Sequence, residues 1–226
     1  MWTGLYQDEG GTLIRERAAA YLGAIYRLRV DTETPVALSQ LGEYFDFSPV
    51  SVHEMVKKLG DQGWLEYHPY HGVTLTERGE KIAASLLRRH RLWERFLTDV
   101  LKIPWGEAHE IATELEHAAS EIVTERLAAF LGEPARCPHG GPIPPLVRQP
   151  TDQSLVDVVP PARGRVTRIA PESAPLLHNV QELGLLPETK VHIVRQQEDE
   201  TVVKVGACEI CVPDHIGQAV WIEIGE

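Results

Sequence analysis

The sequence has few cysteines and no long apolar run. Three cysteines among 226 residues are too few for a framework of disulfides, and their number is odd. No apolar stretch reaches the length of a membrane span, and the first residues lack the charged and apolar regions of a signal peptide. We therefore expect a cytoplasmic protein that has no membrane partner.

Basic residues are also scarce. The chain has 22 Lys and Arg residues against 33 Asp and Glu residues, which is a formal net charge of −11. This balance argues against indiscriminate binding of nucleic acids, because a polyanion requires a basic surface. The acidic excess is uneven: residues 1–90 carry a net charge of −2 and residues 91–226 a net charge of −9. Most of the acid therefore lies outside the N-terminal part of the chain.

The first part of the chain has the pattern of a winged helix-turn-helix. Three helices are predicted, the second starting at Ser39 and the third capped by Ser48, with Pro49 at its first helical position. Two short strands joined by turn residues follow. The predicted elements are helices over 15–29, 39–45 and 49–62 and strands over 64–68 and 73–76.

Two long helices, over 77–101 and 107–131, are predicted next. His90 and Glu94 stand four residues apart and so share one face of the first helix. The second helix carries a polar stripe at helical spacing, formed by His109, Thr113, Glu116 and His117. Single surface histidines are common, but five imidazole and carboxylate groups on matched faces predict a metal centre between the helices.

The last third of the chain changes character. Prolines interrupt regular structure from 132 to 161, and short strands typical of a small β-barrel follow. The expected fold is therefore mainly α with a small β domain. The predicted domains are a DNA-binding domain at 1–76, metal-binding and dimerisation helices at 77–146, a linker at 147–160 and a β domain at 161–226.

Five stretches together resemble the diphtheria toxin repressor family of metal-dependent regulators. They are Ser51–Leu59, Tyr67–Thr76, Arg89–Leu97, Leu115–His117 and Cys137–Pro144. Residues 161–226 resemble the SH3-like domain of the longer members of that family. The resemblance thus covers nearly the whole chain, in order.

The resemblance implies a homodimeric repressor that binds double-stranded DNA at palindromic operators of metal-uptake genes, with Mn(II) or Fe(II) as co-repressor. His90, Glu94 and His109 match the ancillary metal site of the family, and Glu116 and His117 match its primary site. Imidazole and carboxylate ligands without thiolate also suit Mn(II) or Fe(II), with Zn(II) as an alternative in vitro.

The sequence departs from the family pattern at the primary site. Ala20 and Thr113 stand where the family has metal ligands, which predicts that this site is weak or absent. Glu16 and Glu114 are alternative ligands by helix geometry. The family can also add an oxygen ligand from the SH3-like domain to the ancillary site, and Glu172 is the nearest candidate.

The third helix is expected to enter the major groove of DNA. Serines at its start would hold phosphates, the next polar residues would contact bases, and two lysines would contact the backbone. In that order the residues are Ser48 and Ser51, His53 and Glu54, and Lys57 and Lys58.

Two alternatives compete with this hypothesis. The first is a metal-dependent hydrolase, but His109-Glu110 is followed by Thr113 where a metalloprotease requires histidine, and no nucleophile triad or phosphate-binding glycine loop is found. We therefore expect that the protein is not an enzyme. The second alternative is a DNA-binding regulator without metal control, which Ala20 and Thr113 keep open.

Cys208 and Cys211 form a CxxC motif with two interpretations. A zinc site would need a second pair of ligands, and Cys137 with His139 is the available source. The preferred interpretation is that both cysteines are small apolar residues in a hairpin, because no second CxxC motif and no redox fold accompany them.

Overall fold

The computed structural model describes residues 5–7, 13–29, 34–145 and 151–225, with side chains from Arg17 onward. The chain forms two compact units, which we call the first and the second unit. The first unit comprises residues 1–89 and 116–119, and the second comprises residues 90–115 and 120–226. Each unit has its own apolar core.

The first unit is built from helices and two short antiparallel hairpins. Its elements are β1 (Leu5–Gln7), β2 (Leu13–Arg15), α1 (Glu16–Leu28), α2 (Leu38–Phe45), α3 (Pro49–Asp61), β3 (Leu65–His68), β4 (Gly72–Leu75) and the start of α4 (Glu77–Arg95). Helices α1 to α3 followed by the hairpin β3–β4 form the winged helix-turn-helix that the sequence predicted.

The starts of α2 and α3 differ in how their free amide groups are satisfied. Ser48 caps α3 as predicted, since its Oγ accepts a hydrogen bond from the Ser51 amide at 3.3 Å. Helix α2 begins one residue before Ser39, and its cap is Ala37. The Ala37 amide donates to Gln40 Oε1 at 3.0 Å, so the glutamine three residues later satisfies this end of the helix.

The long second helix predicted over 107–131 is two helices. Helix α5 spans Trp105–Leu115 and helix α6 spans Glu121–Phe130, with Ser120 in an extended conformation at the start of α6. The prediction of one continuous helix was wrong because apolar residues keep helical spacing across the break and no glycine or proline marks it. Helix α4 continues, as predicted, through a π-helical turn at Phe96–Val100.

A six-stranded antiparallel sheet dominates the second unit. Its elements are β5 (Gln153–Ser154), β6 (Ala162–Ile169), α7 (Ala174–Glu182), β7 (Lys190–Gln196), β8 (Glu200–Val205), β9 (Cys208–Pro213), α8 (Asp214–Gly217) and β10 (Val220–Ile224). The strand order is β5-β10-β6-β7-β8-β9. Within the described strands, these pairings form a small antiparallel sheet and do not show the closed barrel expected from the sequence.

Part of the predicted linker belongs to this sheet unit. Strand β5 pairs with β10, and the side chains of Leu155 and Val158 are buried in the apolar core beneath the sheet. Residues 153–158 were assigned to a linker because prolines flank them, but burial of their apolar side chains outweighs that local signal.

The described helices also bear on membrane association. Each of them is too short or too polar to traverse a lipid bilayer.

Candidate metal centre

Four side chains of the second unit converge on one buried point. They are His90, Glu94, His109 and Glu172, and their ligand atoms lie within 4.8 Å of one another. His90 Nε2 is 2.8 Å and His109 Nδ1 is 2.9 Å from Glu94 Oε1, and the two nitrogens are 3.1 Å apart. Glu172 Oε2 lies 3.7 Å from His109 Nδ1. Two imidazoles and two carboxylates therefore face one another.

Three elements position this cluster. Helix α4 presents His90 and Glu94 one turn apart, as their spacing predicted, and α5 presents His109. Glu172 comes from the segment between β6 and α7, far along the chain. The side chains of His90 and Glu94 are 1% and 0% exposed, so the cluster lies in the interior of the unit.

A second set of potential ligands shares Glu94. Cys137 and His139 are buried, and with Glu94 they form a group whose ligand atoms also lie within 4.8 Å. His139 Nδ1 is 3.1 Å from Glu94 Oε1, and its Nε2 is 3.1 Å from the carbonyl oxygen of Trp105. The Cys137 sulfur lies 4.0 Å from Glu172 Oε1. One buried carboxylate thus joins three histidines and is neighboured by a thiol.

A tight turn places Cys137 and His139 beside Glu94. The Cys137 amide donates to the Gly141 carbonyl at 2.8 Å, and the Gly140 amide donates to the Cys137 carbonyl at 3.0 Å. Gly140 has φ of +88°, and a Cβ there would meet the Thr167 carbonyl oxygen at 2.0 Å, so only glycine fits.

Sequence analysis missed this role of His139. It considered Cys137 and His139 only as zinc ligands that might join Cys208 and Cys211. The available signal was the Cys-Pro-His-Gly-Gly run, in which two ligand types stand beside turn-forming residues. That signal shows a turn but does not show which carboxylate the turn faces.

The charges of this centre are strongly coupled. Burial alone would raise the pKa of Glu94, but His139, His90 and a hydrogen bond from His109 hold that pKa well below its usual value. Burial would lower the pKa of His139, but the Glu94 carboxylate raises it well above its usual value. Burial, reinforced by the nearby carboxylates, raises the pKa of the Cys137 thiol to about 11. Without a metal ion, a proton on His139 balances the charge of Glu94.

The residues of this centre fit a divalent metal ion. Ligands that share one ion through bonds of about 2.1 Å lie about 3 Å apart, and His90, Glu94 and His109 show such separations. In the described part of the chain, Glu94 Oε2 is buried and has no hydrogen-bond donor. A cation would satisfy this oxygen. Nitrogen and oxygen donors suit Mn(II), Fe(II) or Zn(II).

Glu116 and His117 are not members of this cluster. Because α5 ends at Leu115, the two residues lie in the following turn and do not continue the helical stripe of His109. Glu116 Oε2 is 3.8 Å from Nη2 of Arg27 on α1, and His117 Nε2 is 3.5 Å from Glu116 Oε1. A guanidinium therefore stands beside the Glu116 carboxylate.

The other positions considered for a second metal site supply no suitable ligand in the described residues. Ala20 has no donor atom, and the Thr113 hydroxyl donates to the His109 carbonyl at 3.0 Å. Glu114 is exposed, and the side chain of Glu16 lies outside the described residues. The described side chains around Glu116 do not fit a second metal ion.

Helix α3 presents a polar face to solvent. The residues predicted to contact DNA lie on this face or at its margin: Ser48, His53, Glu54, Lys57 and Lys58 are exposed, and Ser51 is half-buried. The opposite face packs into the core of the first unit through Val52, Val56 and Leu59. Charged and hydrogen-bonding groups of α3 are therefore available to a partner, while the core holds the helix in place.

The CxxC motif lies on strand β9, away from regular ligand geometry. Cys208 and Cys211 are both exposed, and their spacing of three residues directs them to opposite faces of the strand. Cys137 and His139 instead group with Glu94. The described residues thus show no joint site for the four residues that the zinc hypothesis combined.

Known protein families match the chain in three consecutive segments. The model of the iron dependent repressor N-terminal DNA binding domain matches residues 14–73. The model of the iron dependent repressor metal binding and dimerisation domain matches residues 76–145, and that of the FeoA domain matches residues 153–224.

Curated relatives and a solved structure extend over most of the chain. The iron-dependent repressor IdeR of Mycobacterium tuberculosis is 30% identical over 219 residues, which are 90% of this chain and 95% of the relative. The diphtheria toxin repressor of Corynebacterium jeikeium is 28% identical over 229 residues, with the same coverage. A manganese-dependent transcriptional repressor solved in complex with manganese is 29% identical, with a TM-score of 0.83, over 92% of this chain and 100% of its own. These likenesses confirm the resemblance inferred from the sequence.

Proposed function

Because this chain belongs to the iron-dependent repressor family, we propose that it is a transcriptional repressor that binds palindromic operators as a homodimer when it is loaded with Mn(II) or Fe(II). Its targets would be genes of metal uptake, and its place of action the cytoplasm, where operator DNA lies. The buried cluster around Glu94 carries the proposal, because it gathers nitrogen and oxygen donors in the segment matched by the metal-binding model. The manganese bound to the related repressor supports the choice of ion.

We assign metal binding to His90, Glu94, His109 and Glu172, with Cys137 and His139 as further ligands of the same centre. The bound ion supplies positive charge that replaces the proton on His139 and draws the carboxylates of Glu94 and Glu172 together. Glu172 lies in the segment matched by the FeoA model, so the residues of the β domain take part in metal sensing. In this proposal DNA binding belongs to residues 1–76 and dimerisation to residues 77–146.

We assign operator binding to α3 and its N-terminal turn. The exposed lysines at the far end of the helix supply phosphate contacts, and the first turn offers hydroxyl and amide groups. Exposed Glu54 can accept a hydrogen bond from a cytosine amino group and repels phosphate elsewhere, which sharpens specificity. The residues of this interface are Ser48, Ser51, His53, Glu54, Lys57 and Lys58.

An apolar surface on α6 supports the homodimer. Ile122, Val123 and Phe130 are 70%, 44% and 67% exposed, although large apolar side chains tend to be buried. They lie within the segment matched by the metal binding and dimerisation model. A second copy of this chain would cover them.

Operator binding tests the proposed function. Purified full-length protein is titrated onto an uptake-gene promoter at fixed salt, first with a chelator and then with Mn(II), Zn(II), or Fe(II) under anaerobic conditions. We expect tightening of tenfold or more, about 1.4 kcal/mol of coupling. Glu94→Gln should abolish the response. His178→Ala is the matched control, because this histidine is 70% exposed on α7 and should leave the response intact.

A DNA-binding regulator without metal control is the second candidate. The guanidinium beside Glu116 favours it, because a fixed cation there needs no metal ion. Equal operator affinity with chelator and with every metal would support this candidate and contradict the first.

A further inference from the structure

Glu116 is a buried carboxylate whose two oxygens face different partners in the first unit. Its side chain is 4% exposed. Oε2 lies 3.8 Å from Arg27 Nη2, and Oε1 lies 3.5 Å from His117 Nε2. Arg27 is itself 13% exposed, so the ion pair is largely removed from water. Such a pair is screened little by salt.

A buried carboxylate requires a compensating charge, and Arg27 provides it permanently. A guanidinium stays protonated at every pH at which proteins are folded, so its charge does not depend on a solute. A divalent ion on Glu116 would stand beside this fixed positive charge, and the two cations would repel each other. The carboxylate thus already has the charge that a metal ion would bring.

Helix α1 is shaped to hold Arg27 in this position. A methyl group added at Gly23, one turn earlier, would lie 3.3 Å from Arg27 Nη1 and 3.3 Å from Leu86 Cδ2. Side chains on a helix lean toward its N-terminus, so the absent side chain of Gly23 leaves room for the arginine to fold back along α1. Gly23 and Arg27 act together to place the guanidinium.

We propose that Arg27 is the built-in cation of Glu116, so that the turn after α5 is tied to α1 by an ion pair instead of a metal ion. The tie is present with or without metal. Response to metal then rests on the centre around Glu94 alone, a consequence that depends on the proposed function. The ion pair itself does not.

Metal content gives the first test. Full-length wild-type protein and the variants Glu116→Gln and Glu94→Gln are equilibrated with Mn(II), and bound ions per chain are counted by mass spectrometry of the metal and by calorimetric titration. We expect Glu116→Gln to bind as many ions as the wild type, with affinity unchanged within about twofold, and Glu94→Gln to lose bound ion. A lower ion count or a tenfold weaker ion in Glu116→Gln would overturn the proposal, because Glu116 would then be a ligand.

A double-mutant cycle gives the second test, in chelator and therefore free of metal. Unfolding is measured for Arg27→Met, Glu116→Gln and the double variant. We expect the double variant to be about fivefold less destabilised in its unfolding equilibrium constant than the sum of the single effects predicts. Lys81→Met and Glu77→Gln form the control cycle, since that ion pair on α4 is 60% and 88% exposed and should show little coupling.

The two tests separate this proposal from the proposed function. Additive effects at Arg27 and Glu116 would overturn the ion-pair proposal whatever the metal content. If the wild type bound no Mn(II), the proposed function would fail, and the cycle in chelator would still decide whether Arg27 serves Glu116. Arg27→Lys, which keeps a positive charge, provides a second variant if Arg27→Met does not fold.

Discussion

Glu94 is the side chain on which the metal centre is organised. Its Oε1 oxygen is about 3 Å from nitrogens of His90, His109 and His139, and it is fully buried. A carboxylate in such a place stays ionised only because positive charge surrounds it. In the metal-free protein a proton on His139 provides part of that charge, so metal binding must release protons.

The coupled charges of Glu94 and His139 predict how the stability of the metal-free protein depends on pH. The pKa of His139 is raised on folding, so its contribution is complete below about pH 6.5 and is lost as pH rises through the raised pKa. The pKa of Glu94 is lowered, so its contribution is lost only at acid pH. Thermal unfolding in chelator should therefore show falling stability above pH 6.5, by at most about 1.4 kcal/mol per pH unit.

His139→Gln should remove the alkaline part of this dependence. The measurement compares slopes of stability against pH, so a general loss of stability in the variant does not affect it. His178→Gln on the surface of α7 should keep the wild-type profile. An unchanged alkaline slope in His139→Gln would mean that another group carries the dependence.

At the scale of elements, α3 combines a well-satisfied start with an exposed outer face. Ser48 closes its first turn, and three buried apolar residues anchor its inner face in the core. The turn before it brings Asp46 to φ of 52°, the left-handed region that asparagine and aspartate tolerate best. Position and exposure of α3 therefore follow from local capping together with core packing, and its charged residues are free to serve binding.

Lys57 and Lys58 should act on DNA through charge alone. Replacing either lysine by alanine should weaken binding similarly for all sequences and reduce the salt dependence by about one phosphate contact per lysine removed, hence about two per homodimer. The measurement is operator affinity against salt concentration. Lys81→Ala is the control, since this exposed lysine on α4 pairs with Glu77. A salt slope equal to that of the wild type in both α3 variants would contradict their role.

At the scale of the whole molecule, two separate cores support two separate functions. The first unit carries the winged helix-turn-helix, and the second carries the Glu94 centre and the sheet. Exposed apolar side chains on α6 remain outside both cores. Such a surface costs solubility unless a partner covers it, and in a symmetric oligomer the same patch of each copy serves that purpose.

The surface of α6 should control the oligomeric state. Ile122→Glu with Phe130→Glu introduces two charges into the proposed interface and should convert dimers to monomers in light scattering after size exclusion. Val159→Glu is the matched control, because Val159 is 82% exposed and lies outside α6. Dimers that persist in the α6 variant would place the interface elsewhere.

Much of this protein was predictable from local patterns. Capping at Ser48, helical spacing and turn residues sufficed for the winged helix-turn-helix, because each signal acts over a few residues. The spacing of His90 and Glu94 was equally informative, since residues four apart share a helix face. Composition also indicated that nucleic-acid binding must be confined to a less acidic part of the chain.

Only the tertiary structure decided which distant groups meet. Glu172 and His139 reach Glu94 from later parts of the chain, and no spacing rule connects such positions. The break before Glu116 is silent in the sequence because apolar periodicity runs through it, and the partner of Glu116 proved to be Arg27. Local propensities act between neighbours along the chain, whereas burial of charge is balanced between neighbours in space.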